Sequence, residues 1–443
     1  MMRTRVLILG AAGRDFHNFN VVFRSDPAFE VVAFTAQQIP HIAGRRYPHE
    51  LSGDQYPEGI PIYGEDRLAE LVRELEVDVC VLAYSDLAHL EVMHLASRCN
   101  ASGASFLLLG ARQTMLRSML PVIAVTAVRT GAGKSQVSRA IVQALREAGR
   151  KPGILRHPMP YGDLAAQRVQ RFASAADLET HDVTVEEREE YEPHIAAGSV
   201  VWAGVDYGAI LEAAEREADI LVWDGGNNDT PFLKPDLHIT ILDPHRAGHE
   251  LAYHPGETNV RMADVLIINK VDSARAEEVE QVRQNVAQLN PGATLLEARS
   301  PIVVDQPELL AGRRVLCIED GPTVTHGGMP YGAALLAAQR LDAVVVDPRA
   351  YAVGEIAETY ACFPALGPVL PAMGYGDQQL SDLQQTIANA AAAGLDAVAI
   401  GTPIDLARLI QLPVPATRVR YSLELVGSVT MRDLLQPLLS ETR

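Results

Sequence analysis

Lysine is nearly missing from this chain: its 443 residues hold Lys134, Lys151, Lys234 and Lys270, and the rest of the 38 basic side chains are arginine. Basic charge as a whole is short, because 56 acidic residues leave a formal charge of −18. That balance repels a phosphodiester backbone, and no basic run is long enough to offset it, so a nucleic-acid partner is excluded. Apolar runs stay well below the ~20 residues that span a bilayer. The start, MMRTRVLILGAAG, turns glycine-rich before any cleavage-like site, which predicts a first strand, no membrane partner and a cytoplasmic protein. Cysteine is as scarce as lysine: Cys80, Cys99, Cys317 and Cys362 are far apart with no C-x-x-C, which suggests neither a disulfide frame nor a zinc knuckle. Internal repeats and low-complexity tails are absent.

Scarcity makes the surviving lysines informative, since lysine persists where a compact ammonium is needed. Lys134 lies in PVIAVTAVRTGAGKS (121–135), an apolar strand that breaks into a glycine-bearing turn. A helical face follows at Val137, Ile141, Ala144, Leu145 and Ala148, with Gly149 as its stop. This order predicts a phosphate loop, with Thr130, Gly131, Ala132, Gly133 and Gln136 around a nucleotide, Lys134 on its β/γ-phosphates and Ser135 on Mg²⁺. Val128 stands where the strict motif has glycine. The run R-T-G-A-G-K-S instead resembles the variant loop of ATPases and GTPases with an extra cation five places before the lysine, here Arg129.

Alternating strand and helix patterns predict an α/β protein in three parts. Residues 1–118 form a Rossmann-like domain, 119–340 a phosphate-loop NTPase domain with a mostly parallel sheet, and 341–443 an α/β extension packed on it. The first turn, Gly10 to Asp15, lacks the third glycine of the dinucleotide fingerprint, and the second strand ends in Thr35-Ala36 with no acid for a ribose, so a nicotinamide cofactor is disfavoured. Arg14, Asp15, His17 and Asn18 form a polar cluster at that sheet's ligand edge instead. A strand from Pro152 runs into a loop bearing Arg156, His157 and Asp163. The acidic run EEREEYE (186–192) reads as a solvated face. Asp224 ends an apolar strand and is the expected second Mg²⁺ anchor, with Asp163 next in line. His245 and Arg246 follow another strand and read as anion contacts in preference to zinc ligands. Asn269-Lys270-Val271-Asp272 resembles the guanine-recognition motif of GTPases, which places Asn269, Lys270 and Asp272 at a purine. The glycine-rich loop 321–332, with His326, is expected to supply a further wall of the site.

Taken together, GAAGRDFHNFN (10–20), VRTGAGKSQ (128–136), RHPMPYGDL (156–164), WDGGNND (223–229), DPHRAGHE (243–250), INKVD (268–272) and EDGPTVTHGGMPYGA (319–333) resemble the cyclic 2,3-diphosphoglycerate synthetase family over essentially the whole chain. The resemblance implies ATP-driven closure of an intramolecular phosphoanhydride on a small phosphorylated acid, in a homodimer. Arg14, His17, Arg156, His157, His245 and Arg246 would then converge on the substrate's anionic groups, with Lys134, Arg129 and Mg²⁺ carrying phosphoryl transfer. The family implies ATP, whereas the N-K-V-D motif points to GTP. The alternative is a regulatory or metallochaperone GTPase resembling those that mature hydrogenase or urease.

Overall fold

Three large sheets organise the computed structural model, which describes residues 3–36, 44–156, 162–226, 228–325, 329–372, 377–402, 404 and 406–440. The fold is α/β, and its nucleotide-binding unit is built on a mostly parallel sheet. At that sheet's centre Val122–Ala127 is buried at every residue. Such a run, apolar on both faces, suits a parallel strand covered by helices on each side. It pairs in parallel with Ile220–Asp224 on one side and Leu237–Leu242 on the other. Pro152–Arg156, Val200–Ala203, Val265–Ile268 and Thr294–Arg299 extend the parallel set outward. The carboxyl ends of the central strands therefore share one edge, where an open α/β sheet binds its ligands.

The first sheet, centred on Thr4–Leu9, Phe29–Ala36 and Val79–Leu82, is parallel except for the edge strand Arg46–Tyr47. It meets the nucleotide unit through an aromatic plug. Phe232 is fully buried; His17 stacks on it at 4.1 Å, Arg14 lies 4.2 Å above its ring, and Tyr207 packs edge-on at 4.6 Å.

The third sheet corrects the expected boundary at 340. Arg314–Asp320, expected in the nucleotide unit, pairs with Ala397–Ile400, Val344–Val345 and Leu370–Ala372. Beyond it the chain returns. Glu424–Leu425 adds an antiparallel edge to the nucleotide sheet, and Leu435 and Leu438 of the helix Met431–Ser440 join the core under the helix Lys134–Glu147. Roughly residues 302–421 are thus an insertion into the nucleotide unit. Its entry and exit form one antiparallel ribbon whose register never shifts, from Ala298↔Leu425 and Arg299↔Glu424 to Ile302↔Tyr421 and Val304↔Val419.

Replacing Phe232 with alanine removes the plug's shared ring and leaves a cavity, at a cost of about 3–5 kcal/mol. Calorimetry of F232A is expected to show an earlier first unfolding transition together with faster protease cleavage between the N-terminal and nucleotide units. An unchanged first transition would place the junction's stability elsewhere.

Candidate functional site

The helix Lys134–Glu147 begins where the phosphate loop ends, and glycine is needed at two loop positions. Gly131 and Gly133 have φ of +81° and +112°, conformations that cost a side-chain-bearing residue strain. A Cβ on Gly133 would also collide with Asn269 Nδ2, and one on Gly131 would press on Thr323 of the inserted unit. The loop is therefore clasped from two directions. Asn269, fully buried, donates to the Ala132 carbonyl at 3.0 Å, and Lys270 Nζ donates to the Gly131 carbonyl at 2.6 Å. Arg246 donates to the Thr130 carbonyl at 2.8 Å and pairs with Asp243 at 2.7 Å. Burial opposes ionisation of Asp243, but Lys270 and Arg246 outweigh it and bring its carboxyl down to about 2. Asn269 and Lys270 of the N-K-V-D run thus brace the loop. Asp272 is exposed and accepts from the Ser300 N–H at 2.9 Å.

Beneath the loop, Asp224 gathers the buried cations. Lys134 Nζ lies 2.5 Å from one carboxylate oxygen, and the other oxygen meets Arg156 at 2.6 Å and His194 Nε2 at 3.4 Å. Burial alone would raise the Asp224 pKa; Arg156 and Lys134 overcome it and hold the carboxyl well below the usual range. The His194 imidazole is pushed down by burial and is neutral at pH 7. Arg156 also pairs with Glu190. The acidic run 186–192 is therefore not a solvated face: in the helix Val185–Ala196, Glu187, Arg188 and Glu189 are buried and Glu189 accepts from the Thr402 hydroxyl at 2.5 Å.

A cavity of about 250 Å³ opens above the loop. It is lined by Gly131, Lys134, Ser135 and Lys270, by Glu189 and Glu190, and by Glu319 and Asp320, which end the strand Arg314–Asp320. Tyr331 and Gly332, from the expected third wall, line it too. Magnesium takes hard oxygen donors. The exposed Ser135 hydroxyl and the Asp224 carboxylate are such donors at one loop, so these residues fit the ion once Lys134 turns from Asp224 to phosphate.

Arg129 also lines the cavity, and other expected residues lie elsewhere. Arg129 is held 2.6 Å from Asp86 of the N-terminal unit, 2.9 Å from His249 and 3.8 Å above the Tyr253 ring. Asp163 is exposed, accepts from the Ala165 N–H at 2.9 Å and is not among the cavity's lining residues. His245 pairs with Ser273 at 2.9 Å. Arg14, His17 and Asn18 are buried at the plug between units, and Asp15 accepts from the Ala12 N–H of its own turn at 2.6 Å. They do not converge with Lys134: at this junction His17 stacks on Phe232 and Arg14 donates to Thr230. His157 and His326 lie outside the described residues. Glu189, Glu190, His194 and Glu319 were not singled out by sequence reasoning; the only signal was an acidic run whose partners are distant in the chain.

Glu319 is 2 % exposed and accepts from the Leu335 N–H at 2.8 Å; burial pushes its carboxyl up to about 8. The unfolded chain releases this proton near the ordinary glutamate value of about 4.3. Between there and about pH 8 the folded state binds the extra proton, so this group's contribution to stability falls as pH rises through that window. E319Q is expected to gain stability relative to the parent from pH 5 to pH 9, read as diverging urea midpoints. Parallel midpoints would contradict a protonated Glu319.

Comparison with known proteins adds to this geometry. Residues 213–297 match the model of the CobW/HypB/UreG nucleotide-binding domain. A crystal structure of LpxK from Aquifex aeolicus in complex with ATP aligns at 13% identity, covering 74% of this chain and 90% of that one with a TM-score of 0.44. The tetraacyldisaccharide 4'-kinase of Leptothrix cholodnii is 32% identical over 134 residues, 29% of this chain and 36% of that protein. The arginine synthetase ArcE of Thermococcus kodakarensis is 58% identical over 435 residues, 98% of this chain and 96% of the relative. That relative overturns the expected membership of the cyclic 2,3-diphosphoglycerate synthetases and the cyclisation it implied. Matched through all three units, the chain belongs to the family of the arginine synthetase ArcE.

Proposed function

We propose that this chain is a nucleoside-triphosphate-dependent synthetase whose product is arginine. The observation that carries the reading is that one cavity is lined both by a phosphate-loop lysine and serine, Lys134 and Ser135, and by the acidic side chains Glu189, Glu190 and Asp320. A synthetase making a guanidinium needs both, one for the nucleotide and one for a nitrogen-rich cation. The relative's name supports the product.

Phosphoryl transfer can drive such a synthesis. A ureido oxygen attacks the γ-phosphorus and the nucleoside diphosphate leaves; ammonia then adds to the ureido carbon, phosphate departs, and the guanidinium remains. Lys134 would neutralise charge developing on the transferred group, and Arg156 and His194 would keep Asp224 ionised and oriented. Ser135 and Asp224 would hold Mg²⁺, which supplies further charge neutralisation on the phosphates. The inserted unit would exclude water from the phosphorylated intermediate.

A second reading, a switch GTPase with N-K-V-D recognition of guanine, is favoured by the match of residues 213–297 to the CobW/HypB/UreG domain. Turnover separates the two readings: a synthetase consumes triphosphate in step with arginine formation from ureido acid and ammonia, whereas a switch hydrolyses slowly whatever amino acid is present.

In the synthetase assay, K134A is expected to lose at least tenfold in rate, or about 1.4 kcal/mol of transition-state stabilisation, while keeping the parent's circular dichroism. A smaller loss would remove Lys134 from the transfer step. For the base, D272A is expected to alter the ratio of ATP to GTP dissociation constants more than it alters the saturated rate; an unmoved ratio would free Asp272 from purine recognition.

A further inference from the structure

A second cavity, of about 260 Å³, lies between the N-terminal and nucleotide units, beyond the carboxyl ends of Thr4–Leu9, Val79–Leu82 and Ser105–Leu108. Its lining residues are a different set from those of the phosphate-loop cavity. Asn18 is 2 % exposed, lines this space, and its Oδ1 has no hydrogen-bond partner among the described residues. A buried amide oxygen left without a donor is uncommon in a folded protein and calls for an explanation. An N–H group brought by a ligand provides one.

The same wall carries both signs of charge. Arg14 donates to the Thr114 hydroxyl at 3.2 Å, to the Thr230 hydroxyl at 2.7 Å and to the Thr230 carbonyl, and it pairs with Asp229 at 3.7 Å. A cation and a carboxylate side by side, both buried, match a zwitterion. His254, also lining the space, is pushed down to about 4 by burial and adds no charge at pH 7. Two wall segments continue into the phosphate loop. Tyr84 lies two residues before Asp86, which accepts from the Thr130 hydroxyl at 2.8 Å, and Asp229 follows Asn228, which donates to that hydroxyl at 3.3 Å.

We infer that this inter-unit cavity is a second small-molecule site, separate from the phosphate-loop cavity, for a zwitterionic amino acid whose side chain ends in N–H donors. Asn18 Oδ1 accepts from that end, and Arg14 and Asp229 take the carboxylate and ammonium. The choice of arginine as the ligand rests on the synthetase reading; the cavity's polarity does not.

Calorimetric titration of the full-length protein with L-arginine, without nucleotide, tests the site. The parent is expected to bind two molecules per chain. N18L, which removes the acceptor, and T258M, which fills the cavity from its half-exposed side, are each expected to bind one, with circular dichroism and nucleotide affinity retained. Isotherms of both variants superimposable on the parent's, or no binding by the parent, would overturn the site. Loss of one molecule in the variants of a protein that forms no arginine would keep the site and sink the synthetase reading. Steady arginine formation with unaltered isotherms would do the reverse.

Discussion

Everything at the phosphate loop leans on one buried carboxylate. Asp224 is fully buried, and an isolated charge there would cost several kcal/mol. It stays ionised because Lys134 and Arg156 meet its two oxygens. The arrangement also holds the Lys134 ammonium: burial lowers its pKa and Asp224 restores part of it. When phosphates draw Lys134 away, Arg156 and His194 remain with Asp224, so the carboxylate is not stranded. Removing Arg156 would break that reserve and leave Glu190 without its buried partner as well.

The sequence carried the local parts of this fold clearly. Period-two and period-3.6 patterns around residues 121–149 named strand, loop and helix, because each is set by neighbours in the chain. The insertion was hidden for the opposite reason. Arg314–Asp320 has the same apolar pattern as any buried parallel strand, and only its pairing with Ala397–Ile400 assigns it to a third sheet. A strand's sheet depends on distant partners that an apolar run does not identify.

The site divides along the same line. The placement of Lys134 at the start of a helix and of Asp224 at a strand end was legible because both are set by local pattern, and the structure brings the two side chains to 2.5 Å. Arg14 and His17 were expected beside the phosphate loop and lie instead at the junction of two units, because a polar run at a sheet edge looks alike whether it meets solvent or, as here, Phe232 of another unit. Glu189 and Glu190 erred the other way: glutamates in a charged helix read as solvated until Thr402 and Arg156 are known to reach them. The family resemblance located the phosphate chemistry and misnamed the substrate, which follows from fold and nucleotide use being shared more widely than the acceptor.

The ribbon joining the inserted unit to the nucleotide sheet sets how those two bodies can move. Its two short ladders, Ala298–Arg299 on Glu424–Leu425 and Ile302–Val304 on Val419–Tyr421, share one register, and stretching or sliding would break both. Twist is the property in which two-stranded ribbons exceed larger sheets. Arg420 and Tyr421 sit on the ribbon and line the phosphate-loop cavity. A change in the ribbon's twist would therefore move two residues of the cavity wall, so that the attachment of the inserted unit and the shape of the cavity hang on one torsion.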